Sequence, residues 1–525
     1  PGFRLRSELM ARNLVQGTAA RVASVPAPVG GWNARDSIAN MDPLDAVQLT
    51  NFFPSVSNVV LRGGYIQWVT GITGQVESLV NYSTGTADKL FAWAGGKIYD
   101  VTSTGVVGAA VKTGLTNSRW EHINVTTAGG SYLYCVNGVD APLLYDNSTW
   151  ESITAISTIA ITGVTTTTLS NIALHKSRVW FIQKDTLKAW YLPVNAVGGA
   201  AQVLDLSAIA KYGGTLTDLD TWTLDAGYGV DDNLVFITSN GEAIVYSGTD
   251  PSSANTWALI GVWKLGSPVG NRCMMKYGGD LLIITLDGLV PLAGSLQSSR
   301  LDPRIALSNK IQGAITTAVT TYGSNFGWEI LYSSKNNALW INVPVQEGAS
   351  QEQYVMNNIT KNWCNFTGWN ANVWETFNDN PYFGGNGFVG KAWDDDYIDN
   401  TNNITTVALQ AFNYFDSRGV KKYFTRARPS LFTDGLPSVA VGMNVDFDLA
   451  DTTATLSFSP SPVAIWDTSL WNSSIWGTGL QITNNWQGIT GLGYCGGIQL
   501  KSSSQGLHIE WASTDIVYQT GWAGI

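Results

Sequence analysis

The chain has 525 residues, 44% hydrophobic but only 13% charged, with 22 tryptophans and a net charge of −10. That length exceeds one ordinary core, and the acidic balance excludes a body that grips nucleic acid by neutralising phosphates. No run of 18 apolar residues marks a membrane span, and Cys135, Cys273, Cys364 and Cys495 are too scattered for a disulfide framework or a zinc site.

Residues 1–25 read as a short helix or loose arm. Arg4, Arg6, Arg12 and Arg21 against Glu8 give this arm a charge of +3, which suits docking to a partner or an acidic surface as well as a plain unordered terminus. The arm lacks the apolar core of a secretory signal. A proline-stiffened linker, Val25–Trp32, follows. Residues 33–56 read as a lead-in with one helical turn near Asp42–Asn51, where Asp42 would cap and Pro43 would take the first helical position. Val59–Leu61, Gly63-Gly64 and Tyr65–Val69 read as a hairpin able to close the last unit of a repeat.

That repeat is the strongest signal in the chain. Seven times an apolar strand makes a tight polar turn and runs back: Leu90–Asp100, Ser131–Asp146, Ser177–Leu192, Asp232–Tyr246, Asp280–Leu292, Asn337–Met356 and Pro381–Trp393. The turns carry Gly95-Gly96, Asn137-Gly138, Asn240-Gly241 and Asp287-Gly288, which tolerate positive φ. Strand pairs at this period predict an all-β fold, a β-propeller of six to eight blades over residues 57–404. After the polar linker Asp399–Asn403 the period stops. Strands are expected at Val407–Phe415, Val439–Phe447, Ala454–Phe458, Leu480–Trp486, Gly496–Leu500 and Leu507–Tyr518, with a looped cluster of Trp466, Trp471 and Trp476. Residues 405–525 therefore read as an appended β-sandwich-like domain, and 1–56 as arm and lead-in.

Candidate sites are few. Asp394, Asp395, Asp396 and Asp399 offer hard oxygens for calcium but lack the glycine and terminal glutamate of an EF-hand loop, and a solvated boundary loop explains them equally. Ser247–Trp257 approaches a glycosidase-propeller turn with the wrong spacing. His122, His175 and His508 form no motif and read as structural, and the Gly-Gly pairs precede no phosphate-binding helix. Sequons such as Asn124 and Asn358 are expected by chance in an Asn- and Thr-rich chain. No catalytic residue, cofactor or metal ligand is expected. Tryptophan and tyrosine would fill blade interfaces or subunit contacts, a nozzle burying them between subunits, or else stack on sugars.

Several stretches in one order resemble the nozzle, or tubular tail, proteins of short-tailed bacteriophages. They are Pro28–Asp36, Met41–Ala46, Leu61–Tyr65, Val245–Pro251, Leu307–Ile311, Tyr354–Asn357 with Trp363–Trp369, and Tyr382–Gly385 with Gly387. The resemblance implies a non-enzymatic virion tail protein, assembled in the host cytoplasm as a homo-oligomer, usually a hexamer. Its partners would be the adaptor and portal complex, tail fibres or spikes, and double-stranded DNA that passes without specific binding. An acidic bore would repel phosphates and let DNA slide. The alternative is a carbohydrate-binding or glycoside-hydrolysing propeller at a virion or cell surface, which would show convergent carboxylates or exposed aromatics in an open pocket.

Overall fold

Each of the seven strand–turn–strand units pairs antiparallel behind an inner strand, and in five of the blades an outer strand completes the sheet, while the first and fifth show three strands among the described residues. In the computed structural model, residues 20–85, 88–223, 232–296, 303–453 and 480–521 are described. The inner strands are residues 76–83, then Glu121–Thr127, Leu169–His175, Leu216–Thr223, Met274–Tyr277, Glu329–Ser333 and Val373–Phe377. The middle pairs begin with Asp88–Ala94 and Lys97–Asp100 in the first blade and end with Asn380–Gly384 and Asn386–Asp394 in the seventh. The result is a seven-bladed β-propeller with an appended sandwich. The middle strands are buried on both faces: Leu90 to Ala94, Leu234 to Thr238 and Leu281 to Thr285 are runs of buried residues. Continuous apolar runs of this kind suit strands stacked between neighbouring blades. Gly241 shows why the turns need glycine: its φ is +78°, and a Cβ there would stand 2.5 Å from the Gly266 carbonyl oxygen.

One long strand closes the ring. Gly64–Ser83 pairs through its first half with Asn386–Asp394 in the seventh blade, and through its second half with Asp88–Ala94 in the first. It is outermost in one blade and innermost in the next, so the sheet edge at the seam is covered. The hairpin expected around Gly63-Gly64 does not form. Val59–Leu61 pairs instead with Phe52–Pro54 and with Ile509–Thr520. Gly64 lies flat against the chain, where a Cβ would stand 2.0 Å from the Ile398 carbonyl oxygen. The glycine pair permits close packing and makes no turn.

The sandwich has two sheets. In one, Lys422–Thr433 lies between Ile509–Thr520 and the strands Gln481–Thr483 and Gln487–Gly493, while Arg21–Pro26 joins Ile509–Thr520. In the other, Asp45–Thr50, Ile404–Gln410, Gly496–Ser504 and Ser438–Val445 continue the sixth blade beyond its outer strand, Trp363–Thr367. Alternating burial along Lys422–Thr433 turns Phe424, Ala427 and Leu431 into a core with Val441, Ile498, Leu500, Ile509 and Trp511.

Strand pairing thus crosses both sequence boundaries, at 56 and at 404. The helical turn expected near residues 42–51 is instead the strand Asp45–Thr50; Asp42 accepts from the Leu44 amide in a tight turn before it. Arg21 opens a strand opposite Tyr518 and does not belong to a loose arm, whereas Arg4, Arg6 and Arg12 lie outside the described residues, as do Ala454–Phe458 and Trp466, Trp471 and Trp476. The helix Gln312–Tyr322 occupies the longest gap between repeat units and buries Ile315, Ala318 and Val319 against Leu339 and Ile341 of the sixth blade.

Candidate functional site

Around the propeller axis the seven inner strands line a cavity of about 540 Å³. Five carboxylates face it, Glu121, Asp218, Asp220, Glu329 and Glu375, with Arg272, Lys276 and His122. Arg272, just before the fifth inner strand, reaches across the axis. Its Nε donates to Glu121 (2.9 Å), and its Nη2 donates to Ser78 Oγ (2.9 Å) and to the Trp120 carbonyl (2.8 Å). Its Nη1 stands 3.9 Å from Glu329. One guanidinium therefore links the first, second, fifth and sixth blades. The Phe326 ring lies between Arg272 (5.6 Å) and Arg119 (4.1 Å) and caps this end.

Elsewhere in the cavity Lys276 pairs with Asp220 at 3.0 Å, and His122 Nε2 lies 3.4 Å from Glu375. Burial dominates the titration of these groups. It pushes Glu375 up to about 8, with repulsion from Glu329 adding and an amide hydrogen bond from Thr376 opposing. It pushes Glu329 up to about 7 against the pull of Arg272. It raises Asp218 and Asp220 as well, and Glu121 despite Arg272. Burial and then Arg272 lower His122 to about 4. Near neutrality the His122–Glu375 contact therefore joins a neutral imidazole to a carboxyl that keeps its proton.

A second centre lies where propeller and sandwich meet. Arg62 has no side-chain exposure and places all its donors: Nε on Asn51, Nη1 on the Gly63 carbonyl and Asp399, Nη2 on the Thr367 carbonyl and Asp399. Its plane stacks over Trp369 at 4.6 Å. At the other end of the strand Asp45–Thr50, Lys310 donates to Asp45 and to the Gly30 carbonyl, both at 2.6 Å, and accepts through its own carbonyl from the Ala34 amide. Trp363 Nε1 donates to the Leu307 carbonyl at 3.0 Å. Trp32 meets Tyr354 edge-on at 5.2 Å, and Tyr65 meets Phe383 at 5.1 Å.

The residues singled out in the sequence fall mostly outside the cavity. Asp399 is the partner of Arg62, and burial and Asp396 raise Asp394. Among the described residues no group of three or more His, Cys, Asp or Glu is placed to hold a metal ion. The histidines stay apart. His122 lines the cavity, His175 is buried 3.4 Å from the Gly248 carbonyl, and His508 bridges Tyr397 and Glu510. Ser247–Trp257 is a connection between two strands of the fourth blade, with Asp250 held by Ser252 and Arg178 and Trp257 stacked on Trp180 and Tyr246. The tryptophans mainly fill this chain's own interior: Trp93, Trp120, Trp180, Trp340, Trp363, Trp369 and Trp511 are fully buried, and Trp486 is exposed. All four cysteines are free and buried. Sequence reasoning missed the axial carboxylates. Their signal is a charged residue in the strand just before every hairpin unit but the third, in a chain otherwise poor in charge.

No family model and no curated protein matches the chain. Among solved structures, the β-propeller domain of Cps50 (Swd1) from Myceliophteria thermophila aligns with 64% of this chain and 99% of its own, at 14% identity and a TM-score of 0.39. BBS1N in complex with ARL6DN aligns over 63% and 98%, at 12% identity and 0.40. In another structure of that complex the match covers 41% of this chain and 64% of the other, at 12% identity and 0.29. Likenesses this distant say nothing about activity or partners.

Proposed function

We propose that this chain is a structural subunit of the tail nozzle of a short-tailed bacteriophage, a ring that extends the portal and adaptor channel, retains packaged DNA and passes it during ejection. The observation that carries this reading is the shared order of its motifs. The stretches behind the resemblance are spread over residues 28–387, yet all but Val245–Pro251 make long-range contacts with one another: Gly30 and Asp45 on Lys310, Leu307 on Trp363, Trp32 on Tyr354, Arg62 on Thr367, and Tyr65 on Phe383. These contacts are consistent with the stretches serving one fold, and the nozzle reading itself rests on their order along the sequence. In this reading the DNA conduit runs between copies. The axial cavity, about 540 Å³ and crossed by Arg272, admits no duplex. A charge of −10 on each copy would keep phosphates sliding. No catalysis is proposed.

Electron microscopy of virions with an antibody against the chain tests this. Label at the tail, below the portal, supports the nozzle; purified particles without label overturn it. The convergence of carboxylates on the axis is the one observation that favours the second reading, a carbohydrate-binding or glycoside-hydrolysing propeller. Against it, Glu121 is engaged by Arg272, and the cavity's Trp120 and Trp374 are buried and offer no stacking platform. A glycan screen for binding and hydrolysis separates the two readings.

A further inference from the structure

The axial cavity holds more negative groups than positive ones. Glu121, Asp218, Asp220, Glu329 and Glu375 face Arg272 and Lys276, an excess of three negative groups if every carboxyl is ionised, with His122 neutral. The pairings are already assigned: Glu121 takes Arg272 at 2.9 Å and Asp220 takes Lys276 at 3.0 Å. Asp218 accepts from Asn171 and from the Leu219 and Met274 amides. Glu329 and Glu375 have no cation of their own at hydrogen-bond distance. Glu375 lies across the seam of the ring, and Glu329 across the neighbouring junction between the sixth and seventh blades. Glu329, on the sixth inner strand, accepts from the Trp374 amide of the seventh at 2.8 Å. Glu375, on the seventh, accepts from the Thr376 amide and from the Asn81 amide on the first. The second blade presents His122 to Glu375; the third presents only the neutral Asn171.

We propose that this cavity is a proton-operated latch: protons on Glu329 and Glu375 keep the inner strands of the sixth, seventh and first blades drawn together, and loss of those protons loosens the ring at the strand Gly64–Ser83, where it closes. The direction follows from burial. Both carboxyls titrate above their ordinary range, Glu329 at about 7 and Glu375 at about 8, so raising the pH adds two mutually repelling negative charges to the cavity, offset only in part by Arg272 at 3.9 Å from Glu329. Arg272 stays charged and is held by Glu121, Ser78 and the Trp120 carbonyl, so it offsets the new charge only in part.

Hydrogen exchange of the full chain between pH 6 and pH 9, corrected for intrinsic rates, reads the latch. Peptides covering 76–83, 329–333 and 373–377 are expected to lose protection about tenfold or more as the pH rises, while 169–175, whose strand presents no carboxyl to the cavity, holds its own. In the double variant Glu329→Gln, Glu375→Gln the seam peptides should show no pH dependence. An equal pH response in the variant, or loss of protection spread evenly over all blades, overturns the proposal. If the double variant does not fold, infrared spectra of the unaltered protein with carboxyl-labelled glutamate decide: a protonated-carboxyl band should disappear between pH 6 and pH 9, and its absence at pH 6 refutes the latch.

Discussion

Two buried arginines do opposite work in this chain. Arg62, at the joint between propeller and sandwich, has every N–H on an acceptor, one carboxylate bound through both oxygens and an aromatic face beneath it. Arg272, at the propeller axis, is bound closely to Glu121, stands 3.9 Å from Glu329 and shares the cavity with three further carboxyls. A guanidinium whose donors are all used fixes geometry and leaves nothing to titrate. One outnumbered by carboxyls leaves protons to balance the charge. The joint is therefore a fastener and the axis a pH-sensitive element, although both are built from Arg, Asp and Glu.

Breaking the joint should have the largest effect. Arg62→Met leaves Asp399 buried and unpaired, and urea unfolding should show a loss of about 3–5 kcal/mol. Adding Asp399→Asn should recover a large part of it, because the orphaned charge is gone. Lys310→Gln, which removes the cation beside buried Asp45, should cost about 2 kcal/mol, since Asn33 still donates to the other carboxylate oxygen. The axis should respond with the opposite sign. Glu375 has its folded pKa raised from 4.5 to about 8, so its contribution is complete below pH 4.5 and is lost as the pH climbs through 8. Glu375→Gln should raise stability at pH 9 by about 1–2 kcal/mol and change little at pH 5, as melting curves at the two pH values will show. Phe326→Leu, which removes the ring shared by Arg119 and Arg272, should cost the least, about 0.5–1 kcal/mol.

The propeller was legible in the sequence because its signal is local. Each repeat unit spans one hairpin, and buried middle strands such as Leu281–Thr285 leave continuous apolar runs bounded by Asp-Gly or Asn-Gly. The seam was half legible: Tyr65–Val69 was recognisable as a closing strand, but its partner across Gly63-Gly64 was not, since glycine marks close approach as often as a turn. The sandwich strand Lys422–Thr433 was missed, because Arg426, Arg428 and Pro429 obscure its alternation and its register with Ile509–Thr520 depends on residues some ninety positions away. The axial cluster was illegible for a related reason. Glu121, Arg272, Glu329 and Glu375 meet only once seven blades close, and no spacing along the chain records that meeting.

The most direct test of the nozzle reading uses virions. Particles assembled without this chain should package DNA but fail to keep it, and adding the purified chain should restore nuclease-protected genomes and infectivity. Particles that lack the chain yet retain their DNA and infect normally would contradict the account.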